Sequence, residues 1–242
     1  MNKSSSKHIG VILPAGGSSN RFPGETKKQF RTLGGKPLLL FTLERVLSAG
    51  DIDIVTIAVP EKDIPHVVRL VQPFMKSGVE IHVVKGGATR QASVTAALAT
   101  IPETMDIVVV HDAVRPLLEP QWITASVELC NEYDGAIVAI PATDTLKEIL
   151  PSSDIANLEH LMIQRTLARE TVWHAQTPQT FRNAVLRQAL THAHEHGLVK
   201  TDESSLVEAI GGRVAIVRGS PHNIKVTTAD DWQYLQWRMD HD

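Results

Sequence analysis

Short apolar runs rich in valine and isoleucine recur along this chain, each of strand length rather than helix length. They are Ile9–Leu13, Ile54–Val59, Glu80–Val84, Ile107–Val110, Ala136–Ile140, Val214–Val217 and Ile224–Val226. Most are uninterrupted rather than alternating. That pattern suits strands covered on both faces, as in a largely parallel sheet. Helical patterns lie between them. Pro37–Ala49 spaces apolar residues at helical intervals and stops at Gly50. Thr89–Thr100 opens on a threonine suited to capping. Ile123–Cys130, Asp202–Ile210 and Asp230–Asp242 complete the set. Asp202–Ile210 carries acidic residues in its first turn and ends at Gly211-Gly212. Alternating strands and helices predict a three-layer α/β fold with a mostly parallel sheet. At 242 residues the chain can bury a full core as one domain, spanning 1–242.

One stretch departs from the alternation. Within 143–173, Thr145-Leu-Lys-Glu-Ile149 is followed by a Pro151-Ser-Ser-Asp turn, a polar connection, and Arg169-Glu-Thr-Val-Trp-His174. This predicts two strands protruding from the sheet as an arm. Such a ribbon has edges to cover, and a second subunit would cover them.

Bulk composition narrows the function classes. A net charge of −3 gives no general reason to expect nucleic-acid or membrane binding. Any basic pocket must therefore be local. The single cysteine, Cys130, excludes an intramolecular disulfide and any multi-cysteine metal site. It reads as a small core-facing residue. The N-terminal tail Met1–His8 lacks the apolar stretch of a signal peptide, and no run has the length of a membrane span. A reducing, cytoplasmic setting is expected.

Chemistry concentrates at strand ends. After Ile9–Leu13 the chain runs Pro14-Ala-Gly-Gly-Ser-Ser-Asn-Arg21 and then reaches Lys28-Gln-Phe30. Small residues let backbone N–H groups approach an anion, and Arg21 and Lys28 could hold a polyphosphate and offset charge developing on phosphorus. This reads as a nucleotide site for phosphoryl-type chemistry. The spacing is neither the dinucleotide Gly-x-Gly-x-x-Gly fingerprint nor a P-loop. A second cluster, His111-Asp-Ala-Val-Arg-Pro116, follows Ile107–Val110, so Asp112 falls just past a strand's C-terminal end. Asp112 suits Mg2+ and Arg115 suits a phosphate; equally, Asp112 could cap a turn and pair with Arg115. His111 reads as structural. A third, Gly86-Gly-Ala-Thr-Arg-Gln-Ala-Ser93, offers Arg90 and Ser93 to a nucleotide, or else is a glycine turn with a helix cap. Lys225 sits between Ile224 and Val226; facing inward it would need an anion, facing outward it would not. His192, His194 and His196 are distributed around a helix, which disfavours a metal site. The tryptophans are read as packing residues.

As an ordered set these motifs, with Asp144-Thr-Leu-Lys, Trp173-His-Ala-Gln-Thr-Pro-Gln, Thr201-Asp-Glu and Asn223-Ile-Lys-Val-Thr, resemble the cytidylyltransferases of isoprenoid-precursor synthesis. Those enzymes make 4-diphosphocytidyl-2-C-methyl-D-erythritol from CTP and 2-C-methyl-D-erythritol 4-phosphate. The resemblance extends from Ile9 to about Trp232. It implies a Rossmann-like nucleotidyltransferase fold and a homodimer joined through the arm. It also implies roles. Arg21 and Lys28 would stabilise the five-coordinate α-phosphorus. Ala15, Gly16, Gly17, Gly87 and Ser93 would hold the cytidine and phosphates, with Asp112 on the ribose and Mg2+ side. Arg115, Thr177 and Lys225 would contact the sugar phosphate. Thr145 and Arg169 would reach the neighbouring subunit's site. Ser19 and Asn20 depart from the family's usual glycine and basic residue, which implies altered kinetics rather than lost function.

The nearest alternative is a cytidylyltransferase acting on ribitol 5-phosphate, since both families share the first loop and the His-Asp-Ala-x-Arg-Pro segment. Asp144-Thr-Leu-Lys147 and Arg169 favour the methylerythritol substrate. A non-catalytic nucleotide-binding module is disfavoured by Arg21, Lys28 and Asp112. A dinucleotide oxidoreductase is disfavoured by the missing fingerprint.

Overall fold

The structure is a computed structural model, described here for residues 7–17, 26–76, 78–150 and 161–241. The strands are β1 (Ile9–Pro14), β2 (Thr32–Leu33), β3 (Lys36–Pro37), β4 (Ile54–Val59), β5 (Glu80–Lys85), β6 (Ile107–Val110), β7 (Gly135–Pro141), β8 (Lys147–Ile149), β9 (Ile163–Thr166), β10 (Trp173–Arg182) and β11 (Val214–Arg218). The helices are α1 (Leu38–Leu47), α2 (Ile64–Val71), α3 (Arg90–Leu98), α4 (Pro120–Leu129), α5 (Asn183–Glu195), α6 (Ser204–Ala209) and α7 (Ala229–His241).

A seven-stranded sheet runs in the order β11-β7-β10-β6-β1-β4-β5. All its pairings are parallel except those of β10, which is antiparallel to both neighbours. The expected mostly parallel α/β architecture is therefore the observed one. Side chains of the central strands point alternately into two apolar layers, as the period of two requires. Val11, Val55, Ile57 and Val109 face one layer with Leu39 and Leu43 of α1, Val67 of α2 and Ile123 of α4. Ile12, Ile54, Val108 and Val110 face the other, with Val94 of α3, Leu186 of α5 and Val207 of α6. Helix α7 closes a smaller cluster through Trp232 and Leu235 against Leu38, Val114 and Val226. Trp237, on the same helix, is 55% exposed and stacks on His241, so only one of that helix's tryptophans packs inward.

Three expectations are corrected. Ile224–Val226 is not a strand. Its backbone bonds locally, Ile224 N–H to the His222 carbonyl, and crosses once to Val114, so no ladder forms. The arm's second strand is β9, not Arg169–His174: 169–171 is a single 3-10 turn, and Trp173 and His174 pair with Pro141 and Ile140 in the main sheet. Strand β10 is polar and contains Pro178, so it lacks a buried-strand signature. It accommodates the proline at a register irregularity between Ala175 and Gln179. His192 and His196 do share a helix face, with rings 4.0 Å apart. Among the described residues no group of three or more His, Cys, Asp or Glu side chains is placed to hold a metal. No helix there is long and apolar enough to cross a membrane. Cys130 is buried, as expected, and burial pushes its thiol up to about 11.

A buried relay joins the end of β6 to β10. The Asp112 N–H donates to Thr177 Oγ1 at 3.1 Å, and that hydroxyl lies 2.9 Å from His111 Nδ1. The other ring nitrogen, Nε2, is 3.1 Å from the Arg115 carbonyl, which can only accept. Neutral His111 with its proton on Nε2 satisfies every partner. A second proton on Nδ1 would place a charge on a fully buried ring. Burial accordingly lowers the His111 pKa to about 4. A depressed pKa here stabilises the fold fully above about pH 6.5, and that contribution fades as pH falls towards 4. The shift corresponds to about 3 kcal/mol. The stability advantage of the wild type over His111→Gln should shrink by roughly that amount between pH 6.5 and 4 in denaturant titrations. A pH-independent difference would contradict the relay.

Candidate active site

The C-terminal ends of the parallel strands open onto a cavity of about 360 Å³. Pro14, Ala15, Gly16 and Gly17 leave β1; Gly87, Ala88, Thr89, Arg90 and Ser93 leave β5 and start α3; Asp112 and Val114 leave β6. Lys28 and Gln29 come from a 3-10 turn, and Lys225 and Thr227 from the segment before α7. Strand ends beside a change in strand order are where open α/β sheets bind ligands. A larger, more apolar groove of about 880 Å³ runs between α3 and α5, but the cationic groups converge in the smaller cavity.

The turn after β5 is shaped by close approach. A Cβ on Gly87 would lie 2.4 Å from the Ala92 side chain, so glycine is required. Ser93 Oγ accepts from the Gly87 N–H at 3.1 Å and donates to the Thr89 carbonyl at 2.9 Å. Thr89 caps α3 as anticipated, its Oγ1 accepting from the Ala92 N–H at 3.1 Å. The result aims Arg90 inward.

Arg90 is the hub of a buried charge chain. Its Nε donates to Asp112 Oδ1 at 2.9 Å, and its Nη1 donates to both Glu203 oxygens at 2.7 and 2.8 Å. Lys225 Nζ meets Asp112 Oδ2 at 2.8 Å, and Arg115 Nε stands 3.7 Å from the same oxygen. Burial alone would raise the Asp112 pKa, but Arg90, Lys225 and Arg115 outweigh it and hold the carboxyl well below the usual carboxylate range. Glu203 goes the other way: its side chain is fully buried and burial raises its pKa against the pull of Arg90. Arg90 is also desolvated, yet its two carboxylates keep it charged. Gln179 Oε1 accepts from the N–H groups of Glu203 and Ser204, fixing that loop to β10.

The cavity thus gathers Ala15, Gly16, Gly17, Lys28, Gly87, Ser93, Asp112 and Lys225 from the expected set. Arg115 and Thr177 lie behind it. Arg115 Nη1 donates to the Asn223 carbonyl at 2.6 Å, and the Thr177 hydroxyl serves the His111 relay. Of the two readings of Asp112 and Arg115, the structure shows the ion pair between them, at 3.7 Å. Thr145 and Arg169 stand on the exposed arm, where Arg169 Nη1 donates to the Thr143 carbonyl at 2.9 Å. Arg21, with Ser19 and Asn20, lies outside the described residues. The sequence reading omitted Gln29 and Glu203 from the site. Glu203, expected in a helix first turn, precedes α6 and neutralises Arg90.

Among the described residues, three lining cations face one lining carboxylate, an arrangement whose charge suits a polyphosphate. The family model described as IspD, 2-C-methyl-D-erythritol 4-phosphate cytidylyltransferase, matches residues 9–240. A 2-C-methyl-D-erythritol 4-phosphate cytidylyltransferase of Acidobacterium capsulatum is 40% identical over 238 residues, covering 94% of this chain and 97% of that protein. One of Solibacter usitatus is 36% identical, covering 93% of each. In structure, the 4-diphosphocytidyl-2C-methyl-D-erythritol synthase of Anaerococcus prevotii superimposes with a TM-score of 0.82 at 25% identity, over 98% of this chain and 100% of that one. The Francisella tularensis 2-C-methyl-D-erythritol 4-phosphate cytidylyltransferase gives 0.75 at 30% identity, over 96% and 100%. The chain belongs to the 2-C-methyl-D-erythritol 4-phosphate cytidylyltransferase family.

Proposed function

We propose that this protein transfers the cytidylyl group of CTP to 2-C-methyl-D-erythritol 4-phosphate, releasing pyrophosphate and 4-diphosphocytidyl-2-C-methyl-D-erythritol. The observation that carries the reading is the cavity itself, in which Lys28, Arg90 and Lys225 converge with Asp112 beside the Ala15–Gly17 backbone. A phosphate oxygen of the acceptor attacks the α-phosphorus of CTP, the bond to the pyrophosphate oxygen breaks, and pyrophosphate leaves. A phosphate monoester is largely dianionic at neutral pH, so the attack needs no strong general base. Catalysis then rests on positioning and charge neutralisation.

Lys28 is assigned to the α-phosphate, with Arg21 as its partner from the first loop. The Ala15, Gly16, Gly17, Gly87 and Ser93 segment is assigned to cytidine and phosphates. Lys225 is assigned to the acceptor's phosphate, with Arg115 and Thr177 supporting that side. A divalent ion fits a limited role. Asp112 is the one carboxylate among the described lining residues, and both its oxygens face cations. With both oxygens already facing cations, Asp112 could give Mg2+ at most one ligand, and the rest of the ion's shell would be phosphate oxygens and water. Bound beside Asp112 it would offset charge on the triphosphate.

We assign the arm to a homodimer contact. Leu150, Met162 and Ile163 are 46%, 69% and 59% exposed on this ribbon, an apolar surface that a second subunit would cover. Thr145 and Arg169 would then serve the partner's cavity. A cytoplasmic setting suits water-soluble phosphorylated substrates and the one buried thiol.

Pyrophosphate release with CTP and Mg2+ should be fast with 2-C-methyl-D-erythritol 4-phosphate and at least tenfold slower with ribitol 5-phosphate. Preference for ribitol 5-phosphate would overturn the acceptor assignment. Lys28→Ala should cut kcat by roughly 10²–10³-fold while circular dichroism and melting stay close to wild type. Near-normal turnover would remove Lys28 from the chemistry.

A further inference from the structure

The three residues of the turn Lys28–Phe30 send their side chains in three directions. Lys28 enters the cavity, where its Cε would lie 3.8 Å from a Cβ on Gly17. Phe30 packs against the core and meets the His66 ring edge-on at 5.1 Å. Gln29, between them, is 1% exposed and also lines the cavity. Its Nε2 donates to the Ala15 carbonyl at 2.8 Å.

That carbonyl matters because Ala15 is where β1 becomes the small-residue loop. The Ala15 N–H already donates to the Ala58 carbonyl at 2.8 Å. Gln29 therefore completes a clamp: β4 holds Ala15 on one side and the Lys28 turn holds it on the other. The loop backbone and the turn that carries Lys28 are thereby tied together by the protein's own hydrogen bonds. Gln29 Oε1, also buried, has no hydrogen-bond partner among the described residues. A buried amide left half-satisfied is poor filler, since an apolar side chain of the same length would carry no such cost. Its hydrogen bond falls on the residue that opens the small-residue loop.

We propose that Gln29 is a positioning residue: it fixes Lys28 relative to the Ala15–Gly17 backbone, so that both address the same phosphate group. This rests on the cytidylyltransferase reading above. A residue acting through Lys28 has a distinctive signature, because its effect should vanish once Lys28 is gone.

The test is a kinetic cycle. Gln29→Met keeps length and suits a buried site. Gln29→Glu keeps an acceptor but loses the donor. In otherwise wild-type enzyme both should lower kcat at least tenfold, with CTP affinity by calorimetry shifted less than threefold. In a Lys28→Ala background, Gln29→Met should lower the residual rate less than twofold. An equal multiplicative loss in both backgrounds would overturn the proposal, as would a lower melting temperature with unchanged kcat. If Gln29→Glu fails to fold, Gln29→Met alone decides. Wild-type enzyme that does not turn over CTP and 2-C-methyl-D-erythritol 4-phosphate would overturn the underlying functional reading as well. Active wild type with Gln29 variants equal to it would overturn this inference alone.

Discussion

The site depends on one guanidinium. Arg90 stands between Glu203 and Asp112, and each of these carboxylates is almost wholly removed from water. An unpaired buried charge is costly, so the chain must bring all three together or none. They come from separate parts of the sequence: the start of α3, the end of β6 and the loop before α6. Satisfying this chain of charges therefore draws the turn after β5 and the loop at Glu203 towards the end of β6. Lys225 then completes Asp112 from the segment ahead of α7, which gives that irregular stretch its position.

This arrangement explains why the cavity can be polar and still well formed. The charges that shape it are mostly used within the protein: Arg90 by its two carboxylates, Arg115 by the Asn223 carbonyl, Thr177 by the His111 relay. Lys225 differs, since its side chain is 39% exposed while holding Asp112, and is the most accessible of the cations around that carboxylate. A polyanion entering the cavity meets a wall whose dipoles and charges are already fixed. Such a wall needs little rearrangement as charge builds in the transition state, which is how positioning and electrostatics contribute to rate.

Much of this was legible from the chain alone. Strands β4 and β6 match their sequence runs to the residue because short stretches dominated by valine and isoleucine suit a doubly covered strand. Asp112 could be placed because only His111 separates it from such a run. Other features were not legible for physical reasons. Strand β10 gains its ladder from neighbours on both sides, and its own side chains are largely polar, so no local pattern marks it. The stretch at Lys225 has β-branched neighbours but takes its shape from Asp112 and Val114, which are remote in sequence. Glu203 resembles any acidic residue near a helix start until Arg90 is seen against it. Gln29 carries no charge and has no spacing rule; only its burial against the Ala15 carbonyl singles it out.

The central claim is that Arg90 and Glu203 form one energetic unit that builds the cavity. A double-mutant cycle in denaturant, using Arg90→Met, Glu203→Leu and the pair, measures this directly. Each single change should cost roughly 3–5 kcal/mol by stranding or loosening a buried charge. The pair should cost at least about 2 kcal/mol less than the two single losses added together. Additive losses would mean that the two side chains are neighbours without being partners, and the account of how the site is assembled would fail.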